Sequence, residues 1–354
     1  VSLTDSALSL KGAGGGGGGP AVKVPLLREN AFRVASGLRS LFNKPEVIAN
    51  LALTASDARA AQDAEATKTK KIVVADAKTT HHLNLYVAKE KGFFAKRGLE
   101  GEIVDVKDLA AARDLVVAGK ADAYWACPTA VIAAIANGAP IRIIAQVKAP
   151  CTSVLVVPPA SSIQDIADLK GKRVAGISPT CEAVISYVQA AQAAKSPFAL
   201  EKLAGGPAIA ALEAGAVDAA ILEEPQASIA ELKGYRFVRP DVSAGIPCRT
   251  INARTALLQS DPAALQTLVA AIEEANALIL ADPTSEEVVR IAHAYTGAPV
   301  AAIKQGNHRL RFQTILKEEG LSRLADALVA NGDIKENPGQ KLYADAFKGV
   351  TWGK

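Results

Sequence analysis

Strands alternating with helices over most of the chain, followed by helices alone, predict an α/β fold with mainly parallel sheets. Two features carry this prediction. Short apolar runs of strand length, bounded by Gly, Pro, Asp or Lys, recur between Ile72 and Leu222, and the segments between them place apolar residues at helical spacing. Composition agrees, because 49% hydrophobic and 21% charged residues in a chain of 354 suffice for a buried core in about two domains. The net charge is only +4 and aromatics make up 5%, without the clustered, aromatic-interleaved Lys and Arg of a nucleic-acid binder, so nucleic acid is excluded as a partner. No uninterrupted apolar run approaches the ~18 residues that cross a bilayer. Four cysteines are too few for a disulfide scaffold.

Residues 1–69 read as an N-terminal extension. Gly12 to Pro20 is almost pure glycine, a flexible linker by composition. Lys44, the apolar stretch Ile48 to Ala55 and the small-x-small site Ala58-Arg59-Ala60 follow in the order of an export signal peptide. From Lys70 the alternation begins. Strands are predicted at 72–75, 102–106, 121–125, 141–146, 153–157, 173–177 and 219–222. Helices are predicted at 83–94, 109–118, 129–137, 181–194, 208–214 and 226–233. Beyond Arg254 the pattern is helical, at 263–281, 285–294, 302–319 and 321–331.

Four times the chain passes through a proline into a helix: Trp125-Ala126-Cys127-Pro128, Ile177-Ser178-Pro179-Thr180, Ala204-Gly205-Gly206-Pro207 and Leu222-Glu223-Glu224-Pro225. Proline suits a first helical turn because its missing N–H costs nothing there. Each junction offers unpaired backbone N–H groups and the positive end of a helix dipole. In parallel α/β sheets these ends gather at the carboxyl edge of the strands, where ligands bind. Helix initiation explains the prolines but not the Cys, Ser, Thr, Gly-Gly and Glu-Glu around them. These side chains point to a polar cleft for a small molecule, with Thr129, Ser178, Thr180, Gly205 and Gly206 among its candidate contacts.

Leu85-Tyr86-Val87-Ala88, Lys91-Gly92-Phe93-Phe94 and Gly98-Leu99 resemble the opening of substrate-binding proteins of ABC importers, of the nitrate/alkanesulfonate/taurine and thiamine-precursor type. The resemblance continues through Gly119-Lys120-Ala121-Asp122-Ala123, the segment Asp168 to Ala175 and the segment Ala211 to Ala219. It implies a two-lobed periplasmic-binding-protein (type II) fold. Lobe 1 would be residues 70–149 plus 249–354 and lobe 2 residues 150–248, joined by two hinge crossings near Cys151 and Cys248. It also implies a small polar ligand, anionic or heterocyclic, held between the lobes, with an ABC permease in the membrane as partner. The location would be periplasmic or otherwise extracytoplasmic, with no cofactor and no catalytic step. A branch of this fold makes the thiamine pyrimidine by consuming a histidine, with iron held by a cysteine-rich motif. His82 matches the position of that histidine, whereas the cysteine-rich motif is missing. A sensory or metal-delivery protein on the same fold is a third alternative.

The resemblance places ligand contacts after the first strand, at Lys78, Thr79, Thr80, His81 and His82. The bland alternative is that one histidine caps the next helix and the other is solvated. Trp125 fits a buried strand and a stacking wall equally. Cys127 and Cys181 lie at helix starts, where a thiol becomes more acidic, and Cys151 with Cys248 lie on the crossings, where a disulfide would pin them. No CxxC spacing supports a metal site, so none is predicted. Glu223 and Glu224 either face the cleft, implying a ligand with an N–H group, or face solvent at a helix start. Lys78, Lys148 and Arg249 are the candidate cations for an anionic ligand.

Overall fold

The computed structural model describes residues 69–349 apart from 149–150 and 244–245, together with three short strands nearer the N-terminus. The chain divides into two units, Val1–Lys68 and Thr69–Lys354. In the first, β1 (Ser2–Thr4), β2 (Ala7–Leu10) and β3 (Val22–Pro25) form an antiparallel sheet. The glycine-rich linker and the export signal expected at residues 12–20 and 44–60 lie outside the described residues.

The second unit contains two five-stranded sheets. β4 (Lys70–Asp76) opens the first, with Ile72 and Val74 to Asp76 all buried. It pairs in parallel with β5 (Leu99–Asp105) from Lys70 opposite Leu99 to Asp76 opposite Asp105, and on its other side with β6 (Ala123–Ala126). β7 (Ile141–Lys148) and β13 (Cys248–Arg254) complete this sheet in the order β5-β4-β6-β13-β7. β13 runs antiparallel to both of its neighbours. The second sheet contains β8 (Val154–Val157), β9 (Arg173–Gly176), β10 (Ala199–Lys202), β11 (Ala219–Leu222) and β12 (Arg236–Val238), ordered β10-β9-β11-β8-β12. Here β8 is the antiparallel strand. Each sheet thus has one strand against four, and the chain passes between sheets after β7 and again before β13.

Helices cover both faces of each sheet, which is why strands such as β6 and β8 are apolar throughout. In the first sheet α1 (Leu83–Glu90), α8 (Pro262–Ala281) and α9 (Glu286–Thr296) close one core. The other face is covered by α2 (Leu109–Val117), α3 (Pro128–Ala136) and α11 (Glu318–Ala330). In the second sheet α4 (Glu182–Ala193) packs on one face, with α5 (Gly205–Glu213) and α6 (Gln226–Leu232) on the other. The short α7 (Thr255–Ser260) and α10 (Val300–Asn307) flank the first sheet's helices. Local chemistry sets the helix starts. Asp108 accepts from the Ala111 N–H at 2.8 Å, Asp261 from Ala264 at 3.1 Å, and Pro128 occupies the first position of α3. α8 meets the length and mean hydropathy of a membrane span, but half of that span is buried in the protein and it packs as a core helix against α1.

Three expectations need correction. The helix expected over 302–319 stops at Asn307, and α11 begins at Glu318. Between them Leu310 and Phe312 are buried and Phe312 bridges to Lys148 of β7, so an extended segment buries the apolar residues that had mimicked a helical period. β10 and β12 were not expected, being short and largely polar or exposed. β13 was expected only as a hinge return because Thr250 and Asn252 break its apolar run. Inside the sheet they satisfy each other, Thr250 Oγ1 donating to Asn252 Oδ1 at 2.8 Å and Asn252 Nδ2 to the Tyr124 carbonyl at 3.2 Å.

The turn after α10 ties the two sheets' helices together. Arg309 donates to Glu224 at 2.7 Å and to Glu231 at 3.0 Å, and its guanidinium lies 5.1 Å from the Phe237 ring centre. A Cβ on Gly306 would sit 2.5 Å from Glu224 Oε2 and 2.9 Å from Ser228 Oγ. Gly306→Ala is therefore expected to lower stability by roughly 1–3 kcal/mol, as overpacking does, and thermal unfolding monitored by circular dichroism measures it. An unchanged melting temperature would show that this junction yields without cost.

Candidate functional site

The turn that leaves β4 builds a buried polar knot. Asp76, the last residue of the strand, accepts from the Tyr86 hydroxyl at 2.6 Å, from the Lys78 N–H at 3.1 Å and contacts His82 Nδ1 at 2.5 Å. Burial pushes the Asp76 carboxyl up, but His82 beside it and the hydrogen bonds from His82 and Tyr86 prevail and hold it below its ordinary range. An ionised Asp76 fixes His82 Nδ1 as the donor and leaves Nε2 buried without a hydrogen-bond partner among the described residues. The Tyr86 hydroxyl accepts from the Thr79 N–H at 3.0 Å, and its ring stacks on Tyr295 at 4.3 Å. Lys78 adopts φ 44° in this tight turn and sends its ammonium to Asp105 at 2.5 Å.

Across from this knot lies Arg249, a buried residue of β13 held at φ 56°, in the left-handed region that a side chain of this size rarely adopts. Its guanidinium donates to Cys127 Sγ at 2.6 Å and to Glu223 Oε2 at 2.6 Å. Burial pulls its pKa down, yet Cys127, Glu223, Cys248 and Glu182 around it hold it well above its ordinary value, so it stays charged. His81 is buried, with Nδ1 3.7 Å from Glu223 Oε2 and 4.0 Å from Cys248 Sγ. Burial, then the positive Lys148 and Arg249, push it well below 6.5, so it is neutral near pH 7.

All four cysteines are buried, free thiols that gather here. Cys127, Cys181 and Glu182 offer ligand atoms within 4.8 Å of one another, as do Cys151, Glu182 and Cys248. Contact with Cys181 and burial push the Cys127 thiol well up, and contact with Cys151 and burial do the same to Cys248. Cys151 is drawn down, chiefly by its contact with Cys248. Burial pushes Glu182 up to about 8, and its Oε2 has no hydrogen-bond partner among the described residues.

Above these groups opens a cleft of about 440 Å³ between the carboxyl ends of the two sheets. Lys78, Thr79, Cys181, Gly205 and Glu223 line it, together with Ser153 and Arg249. Thr80, His81, His82, Cys127 and Thr129 are buried behind the lining. Trp125 belongs to the core of the first sheet, opposite Ile251, rather than to a cleft wall. Ser178 and Thr180 bond to each other at 2.9 Å, and Thr180 lines a separate groove with Arg113 and Asp114. Gly206 lies off the lining next to Gly205. Of the two glutamates, Glu223 faces the cleft and Arg249, whereas Glu224 turns away to Arg309 and to Ser228 Oγ at 2.7 Å. Sequence reasoning passed over Asp76, Tyr86 and Glu182. The end of the first strand pointed to Asp76, but nothing local distinguished Glu182 from an ordinary first-turn acid.

Residues 79–286 match the model of the NMT1/THI5 like family. A 4-amino-5-hydroxymethyl-2-methylpyrimidine phosphate synthase of Uromyces fabae is 35% identical over 97 residues, 27% of this chain and 28% of that protein. One of Aspergillus parasiticus is 24% identical over 225 residues, 58% of this chain and 65% of that protein. The chain thus spans between about a quarter and two thirds of these two relatives. Among solved structures, the periplasmic aliphatic sulphonate binding protein SsuA of Escherichia coli superposes with a TM-score of 0.69 at 20% identity, covering 80% of this chain and 94% of that one. The alkanesulfonate-binding SsuA of Xanthomonas axonopodis pv. citri, bound to MOPS, gives 0.66 at 19%, covering 75% and 95%. At these identities the likeness establishes the periplasmic-binding-protein fold.

The Asp76 knot sets a pH dependence. Because the folded pKa of Asp76 lies below its ordinary 3.8, its ionisation contributes stability that is complete above that value and is lost as pH falls through the folded pKa. Urea unfolding between pH 2.5 and 6 should show a steeper acid decline in the wild type than in Asp76→Asn. Parallel curves would remove Asp76 from the acid-sensitive groups.

Proposed function

The chain belongs to the NMT1/THI5 like family, and from that premise we propose that it is an extracytoplasmic substrate-binding protein that hands a small polar ligand to an ABC importer. The observation that carries this reading is the cleft between the carboxyl ends of the two sheets, with the buried Arg249 paired to the half-buried Glu223 at its floor. A fixed guanidinium presents a fork to an acidic or carbonyl-like group, and Glu223 accepts from an N–H of the same ligand. The pair therefore suits a heterocycle or zwitterion better than a simple anion. Lobe 1 (residues 70–149 and 249–354) and lobe 2 (150–248) close on the ligand about the crossings at Cys151 and Cys248, and the closed form docks on the permease. Binding needs no cofactor and no bond cleavage.

A second reading, synthesis of the thiamine pyrimidine, is favoured by the names of the curated relatives and by the buried His82, whose Nε2 lacks a partner. A protein-derived histidine consumed in one turnover leaves a mass change on the peptide carrying His82. That change, in protein isolated from its source, would replace the transport reading.

Titration with 4-amino-5-hydroxymethyl-2-methylpyrimidine and with ethanesulfonate tests the binding reading. One of them should raise the melting temperature progressively with concentration and shrink the radius of gyration in solution scattering. Arg249→Lys keeps the charge but loses the fork, and should weaken that ligand about 10- to 100-fold. Tight binding with an unchanged scattering curve would sink the closing mechanism, and full affinity in Arg249→Lys would remove Arg249 from the site.

A further inference from the structure

The four thiols are the least explained feature of the cleft, and they lie below its lining rather than on it, apart from Cys181. They arrive from four separate segments: Cys127 from the end of β6, Cys151 from the first crossing, Cys181 from the start of α4 and Cys248 from the start of β13. Glu182 stands between them, because its carboxylate comes within 4.8 Å of the sulfurs of both pairs. We propose that this cluster is a thiolate metal site with two halves that share the Glu182 carboxylate, each half taking one borderline-soft divalent cation of the zinc type.

The donor set fits such an ion. Two thiolate sulfurs with one carboxylate suit zinc, whereas magnesium and calcium require oxygen ligands throughout. Two sulfurs each about 2.3 Å from a tetrahedral zinc stand about 3.8 Å apart, inside the spacing of each group here. Each half has three donors, Cys151, Cys248 and Glu182 in one and Cys127, Cys181 and Glu182 in the other; His81 Nδ1 stands beside the first, 4.0 Å from Cys248 Sγ. Cys181 lines the cleft, so the fourth position of its half faces the space where a ligand sits. By this arrangement the Cys127–Cys181 half opens toward the cleft and the Cys151–Cys248 half lies buried beneath it.

Two independent observations point the same way. Glu182 Oε2 is a buried polar atom without a hydrogen-bond partner among the described residues, which is costly unless a ligand or ion engages the group. Charge also balances. Four thiolates with Glu182 and Glu223 against two divalent cations leave two negative charges, and the buried Arg249 and Lys148 beside them carry two positive ones. The same site clamps the two sheets, because its donors come from both.

This inference stands apart from the identity of the cleft ligand, and zinc alone tests it. The fully reduced protein, equilibrated with Zn²⁺ and passed through a desalting column, should retain two equivalents by elemental analysis. Co²⁺ in place of zinc should give thiolate-to-cobalt charge-transfer absorption in the wild type, a readout that needs no variant. Ser at both Cys127 and Cys181 should remove one equivalent, and Ser at both Cys151 and Cys248 the other. Glu182→Gln should weaken both. Retention of less than one equivalent, absence of the cobalt–thiolate band, or isolation of the protein with both pairs as disulfides would overturn the proposal. A single equivalent retained by the wild type, or loss of both equivalents or of neither from a double variant, would overturn the two-half arrangement.

Discussion

A charged guanidinium buried between two sheets is the constraint around which the cleft is arranged. Arg249 cannot lose its proton and is shielded from water, so its surroundings must supply acceptors. Glu223, at the end of β11, and Cys127, at the end of β6, do so from opposite sheets. The left-handed backbone at Arg249 turns the guanidinium toward both. The same positive charge helps keep His81 neutral, which leaves its imidazole available as an acceptor or ligand.

The connections between the sheets are of two chemical kinds. Near the cleft they are thiols, the Glu182 carboxylate and the Arg249 guanidinium, all buried in a region of low dielectric where each contact depends strongly on its partners. Farther out, Arg309 with Glu224, Glu231 and Ser228 forms a second junction, partly exposed and therefore weaker per contact. Glu224 explains how adjacent acidic residues take different tasks. One carboxylate faces the cleft and the other latches the helices, because successive residues at the end of a strand point to opposite sides.

The order of most strands and helices was legible because both sheets are covered by helices and most strands are apolar runs of distinctive length. The helix starts at Pro128 and Gln226 and the strand Ala219–Leu222 followed directly from local composition. Expectation failed where tertiary contact overrode local pattern. Leu310 and Phe312 gave a helical rhythm but are buried by an extended segment along β7, and Thr250 with Asn252 disguised a central strand. The loop after the first strand was singled out from sequence, yet its histidines lie behind the cleft wall, because Asp76 and Tyr86 draw His82 inward.

The sequence by itself determined the α/β alternation, the proline-marked junctions and the family resemblance, since each rests on residues close together in the chain. It argued against a metal site because no two cysteines have ligand spacing. Only the tertiary structure decided that Cys127, Cys151, Cys181 and Cys248 meet around Glu182. The physical reason is topological: the two crossings and the carboxyl ends of both sheets converge on one point, and convergence of distant segments leaves no periodic or local trace in the residue order.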